Sequence, residues 1–524
     1  MMMNKKKFIV MGLSLFFMAG AFGQAPAGTA KLKKYVAYFN AIDTEAVKNF
    51  VPNAAAFDWL AANVPLLECP DEVLEKNYYY RWWSFRKHLK KTPEGFIFTE
   101  FIEPVGHAGK YNAISCAAGH HIYEGRWLKN TAYLKEYIDF WLYHADVGQK
   151  RPRFHQFSSW IDDAVYQNYL VAPDAEHLKR ILPALDADYA KWETERQVKS
   201  GLFWQFDVKD GMEESVSGSR KDENRRPTIS SYMYGNAKAL ASIAGIAGDK
   251  ALVEKYNLKA AQLKKLVQDS LWDSKNSFFK TRHPNGKLAV AREAIGFVPW
   301  DFNLPADQPV YAAAWGQLLD TAGFKAPWGL TTAERREPTF RTRGSGHSCE
   351  WDGALWPFAS SQTLKGLANL LTNYKHHGEM TPGVFYDELH KYALSHQKNG
   401  KPYLGEYQDE KNGEWLKGDN PRSSFYNHST FCDLVINDLI GIKPRADQAV
   451  GFQPLIPEGK WDWFLLDNLT YHGKTIQVRW DKTGKKYNKG KGLFIYANGK
   501  EIYRAANLKP AVIKINNHQL TKPK

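Results

Sequence analysis

The 524-residue chain has only four cysteines, Cys69, Cys116, Cys349 and Cys432, and no Cys-x-x-Cys pair. A zinc ribbon or a dithiol redox motif is therefore excluded, and buried free thiols are expected. After the first two dozen residues there is no apolar run long enough to cross a bilayer,. No stretch repeats at a fixed period, which argues against a solenoid. Basic residues outnumber acidic ones by 70 to 56, but the lysines are scattered rather than gathered in a stripe. Nucleic acid is therefore not expected as a partner. His120 and His121 are adjacent on one helical segment and point apart, so they make no metal pair, and no metal or organic cofactor is expected.

What the chain does have is aromatic surface. Aromatics make up 14%, with 18 Trp, more than a core requires. Trp lines concave sites where one ring face packs and the N–H stays wet. The N-terminus carries Lys5, Lys6 and Lys7, then the apolar run Phe8–Phe17, then small residues in "MAGAFGQA". That order is the pattern of an export signal, with cleavage expected near Gly23 and no lipid-anchor cysteine beside it. Loss of the three lysines would lower the net charge from +14 to +11. The expected divisions are a leader over 1–23, a helical domain over 24–446 and a β-sandwich over 447–524.

Between about residues 31 and 445 the apolar spacing is helical. Gly235–Gly248 and Ala251–Trp272 flank "GDK" as a helical hairpin,. Asn130–His144 with Ser158–Val171, Ala175–Leu185 with Asp186–Arg196, and Ser361–Tyr374 with Gly383–His396 read the same way. Helical hairpins joined by long aromatic loops predict a mainly α protein, an (α/α)6 barrel with its site on the loop face. After Pro444 the texture changes to "TIQVRW", "KGLFIYANGKEIYRA" and "AVIKIN", with Asn498–Gly499 as a hairpin turn,.

One stretch concentrates acids beside aromatics: "GLFWQF" is followed by "KDGMEESVSGSR", with Asp210, Glu213 and Glu214 within five residues. With its continuation "RRPTISSYMYGNAKALASIAGIAGD", it resembles the clan joining trehalases, glycoside hydrolase family 63 and mannosylglycerate-hydrolase-type enzymes. There a Gly-x-Asp motif before an inner helix supplies the general acid. Glu213 falls on that aspartate, one methylene longer, and Asp210 is the alternative acid. Glu214 reads as an outward charge.

A second segment, "YLGEYQDE" followed by "KNGEWLKGDNPRSSFYNHSTF", resembles the clan's general-base region. Glu406 falls on the base, Glu414 is its alternative, and His428 lies in the closing motif. "HSCEWDGALWPFASSQTL" resembles the sugar-lining segment and nominates Trp351, Asp352 and Trp356. "YYYRWWSFRKH" adds Arg81 and Trp82, "FHQFSSWIDDAVYQNYL" adds Trp160, and the acidic stretch adds Trp204. The resemblance implies an exported, inverting, exo-acting glycoside hydrolase on an oligosaccharide or polysaccharide, with no cofactor and no membrane anchor. An inverting pair must flank a water, with carboxyl groups about 6.5–9.5 Å apart. Neither acid should be buried against a guanidinium. The alternatives are a lyase or epimerase using Tyr232, His428 and Arg81, or a non-catalytic glycan binder. Oligomeric state is not legible.

Overall fold

The computed structural model describes residues 28–149, 153–343 and 349–515. The expected leader and the last nine residues lie outside them. Among the described residues no helix is long and apolar enough to cross a membrane.

Six helical segments form a ring. In chain order they are Ala118–Gly125, Ile161–Val171, Pro227–Ala247, Val298–Asp301, Pro357–Asn373 and the π-helical Leu434–Leu439. Each packs on the next. The ring closes where Glu124 accepts the backbone N–H groups of Phe431, Cys432 and Asp433, and where Arg126 pairs with Asp433 at 2.7 Å. Between successive members the chain makes outer helices, among them Ala132–Asp139, Ala175–Arg196, Lys250–Leu271 and Pro382–Ser395, and Glu72–Lys87 precedes the first member. This is the (α/α)6 barrel read from the sequence.

Small residues make the close approaches. A Cβ at Gly235 would lie 2.2 Å from the Phe302 ring, and one at Gly119 would lie 2.2 Å from Trp160. The hairpin at "GDK" follows helix-end chemistry. Gly248 takes the left-handed conformation (φ 82°) that ends one helix, and the Asp249 carboxylate accepts the Leu252 N–H to start the next,.

One expectation is corrected. Ala175–Arg196 is one 22-residue helix with Pro183 inside it, not two. Proline removes one backbone bond, but Leu178, Ile181, Leu182, Leu185, Tyr189 and Trp192 are all buried. Burial of several such side chains, about 1.5–3 kcal/mol each, outweighs a lost bond. In the helix that carries "YYYRWWSFRKH", every residue from Asn77 to Lys87 is buried.

From Ile442 onward the chain is β. Trp463–Tyr471, Lys474–Asp481, Gly492–Ala497 and Lys500–Ala505 form an antiparallel sheet. A shorter sheet of Ile442–Lys443, Ala449–Phe452 and Ala511–Lys514 accompanies it. Asn498 and Gly499, with φ of 49° and 77°, make the expected tight turn between Ala497 and Lys500,. The edge of the larger sheet is covered by Leu66–Glu68, about 400 residues away in the chain, paired with Leu465–Asp467. Pairing covers an edge that would otherwise expose unpaired backbone groups.

Candidate active site

A cavity of about 270 Å³ opens on the loop side of the ring. Glu213 and Glu406 both line it, 193 residues apart in the chain. Trp356, Phe358, His428, Tyr426, Cys116, Cys349, Lys209 and Arg422 are among its other walls.

The Glu213 loop is held by its neighbours rather than by Glu213. The Asp207 carboxylate accepts the N–H of Val208 and that of Glu214, and the Asp207 carbonyl accepts the N–H of Met212. Gly211 (φ 70°) and Glu214 (φ 63°) both take left-handed backbone, turning Glu213 toward the cavity,. The Glu213 carbonyl accepts the Trp351 N–H at 3.1 Å, tying the loop to the "HSCEWDGALWPFASSQTL" segment. The Glu213 carboxyl is pushed up to about 7, chiefly by desolvation and further by the charges of Glu406 and Asp207,. A carboxyl with that character is substantially protonated at neutral pH.

Glu406 sits in a different electrostatic setting. It accepts from Ser423 Oγ at 3.2 Å and from Arg422 Nη2 at 3.1 Å, and Lys417 Nζ is 3.2 Å away. This departs from the expectation that neither acid would be buried against a guanidinium, since the Glu406 side chain is 1% exposed. The Arg422 side chain is 24% exposed and itself lines the cavity, so the pair opens onto that space instead of being sealed in the core. The next residue, Tyr407, stacks on Trp356 with ring centroids 4.8 Å apart. Trp356 stacks in turn on Trp351 at 4.5 Å. The two carboxylate loops are thus joined through one aromatic stack.

His428 lines the cavity as a neutral imidazole. Burial lowers it to about 3, and its Nδ1 faces the Tyr426 carbonyl at 3.2 Å. With the proton on Nδ1, Nε2 is an acceptor for a hydroxyl.

Other predicted residues stand elsewhere. Asp210 is not a cavity residue. It is buried against Arg226 at 2.6 Å and accepts from Ser158 and Thr228, so its lone pairs are spent on structure. Asp352 pairs with Arg341. Trp351 supports Trp356 from behind and does not line the cavity. Arg81 is buried among Tyr392, His396 and the Ser429 carbonyl, and Trp82 is fully buried beside it in the Glu72–Lys87 helix. Trp160 packs between His120 and Tyr232. Trp204 lies under the guanidinium of Arg196, outside the cavity wall. Tyr232 is buried and accepts from Gln362. The Arg81–Tyr232 arrangement that a lyase would need is therefore absent from the cavity. Glu414 is an exposed partner of Arg343.

The sequence reading missed Glu100, which lines the cavity from the "FTEF" segment. It is fully buried, accepts from Cys116 Sγ at 3.3 Å, and is pushed up to about 8, mainly by desolvation. Among the described residues no group of three or more His, Cys, Asp or Glu is arranged to hold a metal.

Comparison with known proteins agrees with this architecture. Residues 110–429 match the model of the mannosylglycerate hydrolase MGH1-like glycoside hydrolase domain. Residues 443–503 match the C-terminal domain of glycosyl hydrolase family 65. A solved structure titled "Sialidase" is 47% identical, with a TM-score of 0.90 over 93% of this chain and 45% of that one. The glycoside hydrolase family 63 mannosylglycerate hydrolase of Thermus thermophilus, in complex with Tris, shares the fold. It is 11% identical, with a TM-score of 0.52, over 69% of this chain and 99% of that one. An uncharacterized protein of Borreliella burgdorferi is 24% identical over 204 residues, 39% of this chain and 41% of that protein. The chain thus spans less than half the length of the sialidase-titled and Borreliella relatives. With its family match covering more than half its length, the chain belongs to the MGH1-like glycoside hydrolases.

Proposed function

We propose that the protein hydrolyses a terminal glycosidic bond of an oligosaccharide or polysaccharide with inversion at the anomeric carbon. Glu213 acts as the general acid and Glu406 as the general base. The observation that carries the reading is the contrast between two carboxylates on one cavity. One is desolvated and raised to about 7, and the other faces two cations and a hydroxyl.

A general acid must hold its proton until the glycosidic oxygen departs, and a site with its pKa near the working pH does this best. Lys417, Arg422 and Ser423 face the Glu406 carboxylate, and a general base takes a proton from water,. In the proposed reaction water attacks the anomeric carbon from the face opposite the leaving group. Its proton passes to Glu406 while the Glu213 proton passes to the leaving oxygen, so charge balances without a covalent intermediate. Glu100, protonated at neutral pH, is a hydrogen-bond donor toward a sugar hydroxyl, and His428 Nε2 is an acceptor. Trp356 supplies an apolar wall for sugar C–H groups. A cavity of about 270 Å³ fits one sugar ring better than a chain passing through, which supports exo-action,. The N-terminal basic, apolar and small-residue order supports export.

The test is a panel of α- and β-aryl glycosides and plant and host oligosaccharides, assayed with the unsubstituted protein and with Glu213→Gln and Glu406→Gln. The proposal expects hydrolysis of at least one class and, on a natural, poor leaving group, its loss in both variants. Hydrolysis that survives either change on a natural, poor leaving group contradicts it.

A further inference from the structure

The cavity adjoins a wider basin of about 790 Å³, and His107, Gln156 and Lys209 line both spaces. The basin's charge is one-sided. Arg153, Arg196 and Lys209 border it, and Glu195 is its single carboxylate among the described lining residues. That carboxylate is turned to His155, 3.2 Å away.

Both arginines are held in place without a carboxylate partner among the described residues. Arg153 donates from Nη1 to the His107 carbonyl at 2.7 Å. Its guanidinium lies so close to Gly109 that a Cβ there would be 2.9 Å from Cζ. Gly109 has φ of 68°, so glycine is favoured on both counts,. Arg196 stacks over Trp204 at 4.6 Å and donates from Nη1 to the Glu195 carbonyl at 3.1 Å, while its Nε is buried without a partner among the described residues. Two guanidinium groups fixed by carbonyls and a ring, with no carboxylate ion-pair partner among the described residues, make a preorganised anion site.

The basin's position relative to the catalytic pair assigns its role. Lys209 belongs to the loop that carries Glu213, and Trp204 and Arg196 lie just before that loop in the chain. Under the proposed mechanism Glu213 protonates the leaving oxygen, so the leaving group lies on the Glu213 side.

We propose that the basin is a subsite for an acidic sugar unit, carboxylated or sulfated, on the leaving-group side of the bond being cleaved. A glycan would place its terminal ring in the cavity and the anionic group of its next units against Arg153 and Arg196. The assignment of side rests on the proposed roles of Glu213 and Glu406, whereas the preference for an anion rests on the basin alone.

The test measures binding to Glu213→Gln protein by titration calorimetry at low salt. The probes are oligogalacturonates and chondroitin sulfate oligosaccharides, each beside a carbodiimide-reduced and, for chondroitin, a desulfated counterpart. The expected result is at least about tenfold tighter binding of an anionic probe than of its neutralised counterpart. Adding Arg153→Gln and Arg196→Gln abolishes that difference, and Arg196→Lys preserves much of it. The arm that loses affinity, carboxyl reduction or desulfation, identifies the anion. Equal or undetectable binding of every anionic and neutral pair overturns the proposal, as does tight anionic binding unchanged in the folded double-arginine variant. Because turnover is absent from this measurement, failure to detect hydrolysis by the unsubstituted protein overturns the catalytic reading and leaves the basin result standing.

Discussion

Asp210 and Glu213 are three residues apart on one loop and meet opposite fates. The Asp210 side chain is fully buried, and Arg226, Thr228 and Ser158 engage its oxygens. Glu213 faces a cavity, with no cation within salt-bridge distance among the described residues, and is raised to about 7. Asp210 therefore anchors the loop and Glu213 is presented by it. The residue types are nearly interchangeable, and the environment separates an internal strut from an acid able to give up a proton. Glu406 completes the contrast. It has cations as Asp210 does, but one of them, Arg422, lines the cavity with it.

The sharpest way to break this comparison is to remove each carboxylate in turn. Glu213→Gln and Glu406→Gln are each expected to lower kcat by about 10³-fold on a natural glycoside. They should differ on aryl glycosides with good leaving groups. Such a leaving group needs no proton, so Glu213→Gln recovers much of its rate and Glu406→Gln does not. Steady-state rates on nitrophenyl and dinitrophenyl glycosides read the difference. Asp210→Asn should behave unlike either, by destabilising the fold. It leaves Arg226 buried without its counter-charge, at a cost of about 3–5 kcal/mol, seen as a lower urea midpoint.

A third prediction uses Glu100. Its folded-state value of about 8 lies above the ordinary value of 4.5 for a glutamic acid. The native state therefore binds a proton that the unfolded chain releases, and stability from this group falls as pH rises from about 4.5 to about 8. Glu100→Gln should raise the melting temperature at pH 8 relative to the unsubstituted protein and change it little at pH 4.5. The smallest expected effect is electrostatic. Because the charge of Glu406 helps to raise Glu213, Glu406→Gln should move the Glu213 titration to lower pH, followed by ¹³C NMR of labelled glutamate.

Much of the fold is legible because helices announce themselves by spacing and caps. The Pro227–Ala247 and Lys250–Leu271 pair is readable from small residues, Gly248 and Asp249. The break expected between Leu185 and Asp186 is not present, since a buried apolar face carries one helix through. The Leu66–Glu68 strand is not legible, because three residues carry no alternation and their partner lies about 400 positions on. At the site, Glu213 and Glu406 stand in motifs and reach the same cavity, as do Trp356 and His428. Arg81, Trp82 and Trp160 do not reach it, because aromatic and charged residues at helical spacing also describe a barrel interior. Glu100 gives no signal, since one glutamate in "FTEF" looks like any edge residue until its neighbours are known. The basin arginines are equally silent: their meaning comes from the lack of a carboxylate partner for either among the described residues, which only three dimensions reveal.

The central claim is that Glu213 and Glu406 act across a water rather than through a covalent sugar–enzyme bond. ¹H NMR of the anomeric proton of the released sugar, followed from the first turnovers before mutarotation, tests it most directly. The account predicts that the first-formed sugar has the anomeric configuration opposite to that of the substrate. First-formed sugar with the substrate's own configuration would contradict it.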